Sequence, residues 1–219
     1  AANLRHPLSL TLLALTFSTG TVDAVSYLGL GHVFTANMTG NVVLLGFGIA
    51  GAGGLPVVSP IVSLAAFAVG SGIGGALARR VAERHRTYIA YALGLEGLLL
   101  TGAAILAGAT NPHPASFAAD ATIALMAGAM GIRNATARRL AVPDLTTTVL
   151  TMTITGLAAD STLAGGTGKG SLRRVSAVVA MLAGAVAGAL LVRTGLTLPL
   201  AVAAAVALAT CVAYPAAAR

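Results

Sequence analysis

Long apolar stretches alternate with short polar breaks along the whole chain. A helix needs about 20 apolar residues to cross the hydrocarbon core of a bilayer. Six stretches meet that length: residues 8–30, 58–79, 88–109, 116–137, 174–193 and 196–215. Between them lie RRVAERHR (79–86), NPHP (111–114), RRLAVPD (138–144) and GGTGKGSLRR (165–174). Two further stretches, 33–51 and 144–160, are polar at their starts, with VFTANMTGN in one and DLTTTVLTM in the other. The apolar part of the first, Val42 to Ala50, is too short to span as a helix. The period-two alternation of barrel strands is missing, so the pattern predicts helices. The first stretch runs to Leu30 without an A-x-A cleavage site, and reads as a membrane helix rather than a signal peptide. The missing initiator Met reads as trimming before Ala1.

The order of elements recurs. A shift of 111 residues lays Thr11 on Thr122, Gly20 on Gly131, Ala24 on Ala135 and Thr35 on Thr146. A shift of 114 lays Gly70 and Gly74 on Gly184 and Gly188. Each half, 1–110 and 111–219, reads as long helix, short Thr/Asn-rich segment, Gly-x-x-x-Gly helix, helix. Basic loops stay in the cytoplasm, and that rule decides how the short segments run. If they cross, the basic residues are split between the two sides. If each enters and leaves on one side, Arg5, Arg79, Arg80, Arg84, Arg86, Arg138, Arg139, Lys169, Arg173, Arg174 and Arg219 are all cytoplasmic, and Arg193 is outside. The expected fold is therefore all-α: six transmembrane helices plus two re-entrant half-helix segments, an inverted 3+3 repeat with both termini cytoplasmic. Irregular backbone at membrane depth is tolerated where protein or a wet cavity covers it. Half-helices starting near Asn37–Asn41 and near Thr147 or Thr148 would bring two N-termini together near the membrane centre. Each such end carries roughly half a positive charge and unpaired N–H groups.

Composition agrees with this reading and removes others. The chain is 57% hydrophobic and 9% charged, with mean hydropathy +0.90. A soluble domain carries roughly 25% charged residues. The net charge of +7 reads as cytoplasmic loops, not nucleic-acid binding. Cys211 is the single cysteine, and the histidines have no ligand spacing, so no disulfide framework, metal site or cofactor is expected. No nucleophile–base pair appears, and GGTGKGS lacks phosphate-loop spacing. The chain is not expected to be an enzyme.

The candidate binding residues are Asn37, Met38, Thr39 and Asn41 in the first short segment, and Thr146, Thr147, Thr148 and Thr151 in the second. The bland alternative is capping and helix–helix hydrogen bonding without a solute. Asp23 lies deep in the first helix, where a charge costs at least about 2.5–3.5 kcal/mol. It either contacts the site or carries a coupling proton, or else it holds the re-entrant loop by bonding backbone N–H groups. Its counterpart in the repeat is Asn134, also expected to face inward. Glu96, mid-span, is either a protonatable coupling residue or a helix-bonded Glu at a helix contact. Arg133 either snorkels to the cytoplasmic headgroups or adds positive potential beneath the half-helix ends. A salt bridge to Asp23 is hard to reach. GSGIGG (70–75) and Gly184-x-x-x-Gly188 are small-residue packing faces, first of all between the halves. Tyr27, Tyr88, Tyr91 and Tyr214 belong to the interfacial belt or line a cavity.

Two motifs, VDAVSYLGLGHVFTANMTGN and RNATARRLAVPDLTTTVLTMTITGLAAD, resemble the YoaK-type family of small bacterial multi-pass membrane proteins, and the likeness covers nearly the whole chain. The resemblance implies a protein of the bacterial cytoplasmic membrane and supplies no substrate. The family usually carries Gln where this chain has Arg133. The leading functional expectation is a secondary transporter of a small polar or anionic solute. The alternatives are a channel for a small solute or ion, and a non-transporting scaffold or lipid-binding protein. Expected partners are membrane lipids, the solute, a coupling proton and a second copy of the chain.

Overall fold

The structure, a computed structural model, describes residues 7–81, 85–140 and 150–217. Among these residues the chain is all helical, with eight α-helices: α1 Pro7–Gly29, α2 Met38–Ile49, α3 Val58–Arg80, α4 His85–Thr110, α5 Phe117–Leu140, α6 Leu150–Ala159, α7 Ser171–Val192 and α8 Thr197–Ala217. The six long helices fall on the six long apolar stretches, and the two short ones on the two polar-started segments. By length and composition, α3, α4 and α7 can cross a membrane. At 1.5 Å per residue, the 12 residues of α2 and 10 of α6 reach only about 18 and 15 Å. A hydrocarbon core is about 30 Å thick.

Small residues set the tightest packing. α3 lies on α5 and α7 lies on α1, each pair running parallel. A methyl group at Gly70 would strike the carbonyl of Gly128, and one at Gly184 would strike the carbonyl of Phe17. One turn on, the same holds for Gly74 against Ala135 and Gly188 against Ala24. The reverse contacts match as well: Gly131 sits on the backbone of Phe67 and Ser71, and Gly20 on that of Met181 and Ala185. These are the small-residue faces expected from sequence, and they pack the first half of the chain on the second. Between the two pairs, α4 runs antiparallel to α8, with Gly97 on Leu208 and Gly108 on Thr197. The core fills the middle with Val22 and Val25 of α1, Leu100 of α4, Ile123 and Met126 of α5, and Leu200 of α8.

This arrangement gathers the basic residues. α3 and α5 end together, bringing Arg79 and Arg80 beside Arg138 and Arg139. α4 starts at that end, where the Arg139 guanidinium lies 5.5 Å from the centre of the Tyr88 ring. α1 runs antiparallel to α5, and α7 runs with α1, so Arg173 and Arg174 start α7 at the same end. Arg193 follows the far end of α7.

Candidate functional site

The segment between α1 and α2 is irregular backbone that must find partners away from water. Gly31 takes φ +105°, and a side chain there would press on Pro114, so the chain turns back tightly after α1. Asp23, six residues before the end of α1, receives the returning chain. Its Oδ1 accepts the N–H groups of Thr35 at 3.0 Å and Ala36 at 2.8 Å. Asn41, wholly buried on α2, clamps the next residue back. Its Oδ1 accepts the Phe34 N–H at 2.9 Å, and its Nδ2 donates to the Phe34 carbonyl at 2.6 Å and to Ser63 Oγ at 3.1 Å. Ser63 Oγ donates to the same carbonyl at 2.7 Å. Asn37 caps α2, accepting the Gly40 N–H at 3.2 Å. Thus the Asn-rich sequence makes the half-helix start where it does.

Beside this loop lies a cavity of about 450 Å³. From α1 come Thr19, Asp23, Tyr27 and Leu28, and from the approach to α2 come Phe34, Ala36 and Asn37. The start of α6 contributes Leu150 and Thr151, and α7 contributes Met181, Ala185 and Ala189. The N-cap of α2 and the first described turn of α6 therefore border one space. Tyr27 and Phe34 stack, with ring centres 4.9 Å apart and planes 23° from parallel. Among the described lining residues, Asp23 alone carries a formal charge.

A second polar centre lies behind Thr19. Arg133 of α5 is buried and pairs with Glu96 of α4, itself fully buried. Arg133 Nη1 also donates to the Leu15 carbonyl and to Thr19 Oγ1, each at 2.8 Å, and Nη2 donates to Ser18 Oγ at 3.2 Å. This corrects the snorkelling reading of Arg133. The guanidinium points inward, because an acid at matching depth on the neighbouring antiparallel helix and three acceptors on α1 hold it better than a long reach to headgroups. Glu96 is thus held by an ion pair at a helix contact.

The sequence candidates divide. Asn37 and Thr151 line the cavity. Asn41 has its amide engaged by the loop and Ser63 and is not in the lining. Met38 and Thr39 follow the cap on α2 outside the lining, and Thr39 is exposed. Asn134 is half-buried and donates to the Met130 carbonyl at 2.8 Å. Thr146, Thr147 and Thr148 lie outside the described residues. Of the tyrosines, Tyr27 lines the cavity, Tyr88 is buried against Thr136 at 3.2 Å, and Tyr91 is exposed. Sequence reasoning missed Thr19, Phe34 and Met181. Thr19 lies one helical turn before Asp23, and that spacing was a usable signal.

A family model described as "Protein of unknown function (DUF1275)" matches residues 11–213, a range that holds the cavity and both buried acids. The chain belongs to this family. It is also similar to the UPF0700 transmembrane protein YoaK of Bacillus subtilis (strain 168), 37% identical over 161 residues that make up 73% of this chain and 68% of that protein. The resemblance to the YoaK-type family read from the two motifs is therefore correct. No solved structure matches.

Proposed function

We propose that this chain is a multi-pass transporter of a small polar solute, with its site in the cavity between the starts of α2 and α6. In this reading α1, α3, α4, α5, α7 and α8 cross the bacterial cytoplasmic membrane, and α2 and α6 enter and return from opposite sides. The two halves are then inverted repeats, and both termini are cytoplasmic. The observation that carries the proposal is the shared cavity, bordered by the N-cap of α2 and the first described turn of α6. Two helices too short to span, each starting at one shared space beside a buried acid, suit a solute site in discontinuous-helix transporters. The matched contacts of α1 with α7 and of α5 with α3 support the repeat. The single basic end supports the orientation. A cavity that holds Asp23, Thr19 and Thr151 in its lining also weighs against a tightly packed scaffold. Asp23, in the lining, and Arg133 with Glu96, linked to it through Thr19, are the candidate coupling groups.

Cysteine accessibility tests the proposal on a Cys211→Ala background. Asn37→Cys and Thr151→Cys should react with a small charged methanethiosulfonate reagent from either side of the membrane, because a transporter opens its site alternately. Ala82→Cys should react from the cytoplasm alone. Periplasm-only labelling of Ala82→Cys overturns the topology, and one-sided access at both cavity positions overturns transport.

A further inference from the structure

We infer that the cavity takes a small organic ammonium ion, protonated or quaternary with an apolar body, with Asp23 as its counter-charge and Tyr27 and Phe34 beside it. This rests on reading the cavity as a solute site and names the class of solute.

The charge inventory leads to it. Asp23 is the charged group of the described lining, and the nearby cation that could neutralise it is engaged elsewhere, since Arg133 is paired with Glu96. The two N–H groups that Asp23 accepts both meet Oδ1 and bring no formal charge. The helix-dipole argument for an anion sets roughly half a positive charge at each short-helix start. A full carboxylate stands in the same space, bonded to the N–H of Ala36, the residue before the cap of α2. The capping oxygen of Asn37 is already taken by Gly40. An anion placed there would face Asp23 in surroundings that screen it poorly, whereas an ammonium group would complete an ion pair. The stacked rings of Tyr27 and Phe34 add electron-rich faces that attract a cation. Leu28, Met181, Ala185 and Ala189 offer an apolar wall for a carbon body. The volume of about 450 Å³ lies in the range of small-molecule sites.

The test uses the purified full chain in detergent, with calorimetric titration and thermal unfolding as readouts. The probes are phenethylammonium and tetraethylammonium, with 3-phenylpropionate as the matched anion and 2-phenylethanol as the neutral body. The ammonium probes should bind and raise the unfolding temperature, and the other two should not. Asp23→Asn keeps the oxygen that accepts the Thr35 and Ala36 N–H groups and removes the charge. It should weaken ammonium binding at least about tenfold, a 1.4 kcal/mol difference. Tyr27→Leu, which leaves the loop bonds intact, should weaken it about two- to thirtyfold and carries the test if Asp23→Asn fails to fold. Ala189→Phe should block the site. Ammonium binding that survives both Asp23→Asn and Ala189→Phe overturns the inference. Binding of the anion or the neutral probe instead, lost in Ala189→Phe, overturns the ammonium class and leaves the solute site standing. No binding by any probe overturns both.

Discussion

Asp23 and Glu96 are both acids buried in long helices, yet their surroundings differ in kind. Glu96 meets a full opposite charge, and its partner Arg133 also donates to three acceptors on α1. That centre is closed in charge: it ties α4, α5 and α1 together and adds no net charge to the bundle. Asp23 meets two backbone N–H groups on one oxygen and borders a cavity. Its centre is open. A buried ion pair is weak support for stability as a whole, but breaking one partner is costly. A carboxylate held by amides alone keeps its charge available to whatever enters the cavity. The difference separates an acid that organises helices from one that can face a solute.

Removing one half of the closed pair should have the largest effect. Glu96→Gln leaves Arg133 charged and buried without a counter-charge, and should cost about 3–5 kcal/mol of stability. Glu96→Leu combined with Arg133→Met should recover most of it. Denaturant titration in mixed micelles measures both, and a single variant costing under about 1 kcal/mol would end the distinction between the two acids. At the open centre, Asp23→Ala strands the N–H groups of Thr35 and Ala36, and should cost about 1–3 kcal/mol. Asp23→Asn should cost well under that, so the gap between them isolates the two hydrogen bonds. Equal losses would mean that the charge, not the acceptor, holds the loop. The smallest effect is expected one layer out. Ser63→Ala removes one donor to the Phe34 carbonyl while Asn41 Nδ2 remains, and should cost about 0.5–1.5 kcal/mol. Hydrogen exchange at residues 33–37 should speed up while α4 and α5 stay protected.

Much of this comparison could be read before the structure, and the unread part has a common cause. Apolar length located α1, α3, α4, α5, α7 and α8, and the Asn and Thr residues before Val42 located the start of α2. The loop-holding reading of Asp23 came from the cost of leaving a charge unpartnered beside irregular backbone. What spacing along one helix does not encode is the partner on another. Arg133 lies five residues before Arg138 in sequence, a spacing that reads as a side chain bound for the headgroups. Its true partner is fixed by the α4–α5 hairpin, in which Glu96 and Arg133 lie at similar distances from the turn at 111–116. Counting outward from that turn would have paired them. Asn41 is a different case. On a helix of 12 residues with apolar side chains nearly all round, the sequence does not say which polar residue faces the neighbouring helix. Ser63, 22 residues away, decides that Asn41 does.

The parallel contact of α1 with α7 also bears on how the chain is made. Thr21 Oγ1 reaches the Gly184 carbonyl at 3.1 Å, across 163 residues of sequence. During synthesis α1 emerges well before α7 and stays without that companion until the helices between them have followed. It carries Thr16, Ser18, Thr19, Thr21, Asp23 and Ser26 on its way. Thr16, Thr19 and Thr21 each return a hydrogen bond to a carbonyl one turn back, at Leu12, Leu15 and Phe17. Such bonds need no other segment, so Thr19 Oγ1, which later meets α5, and Thr21 Oγ1, which later meets α7, are satisfied before those helices arrive.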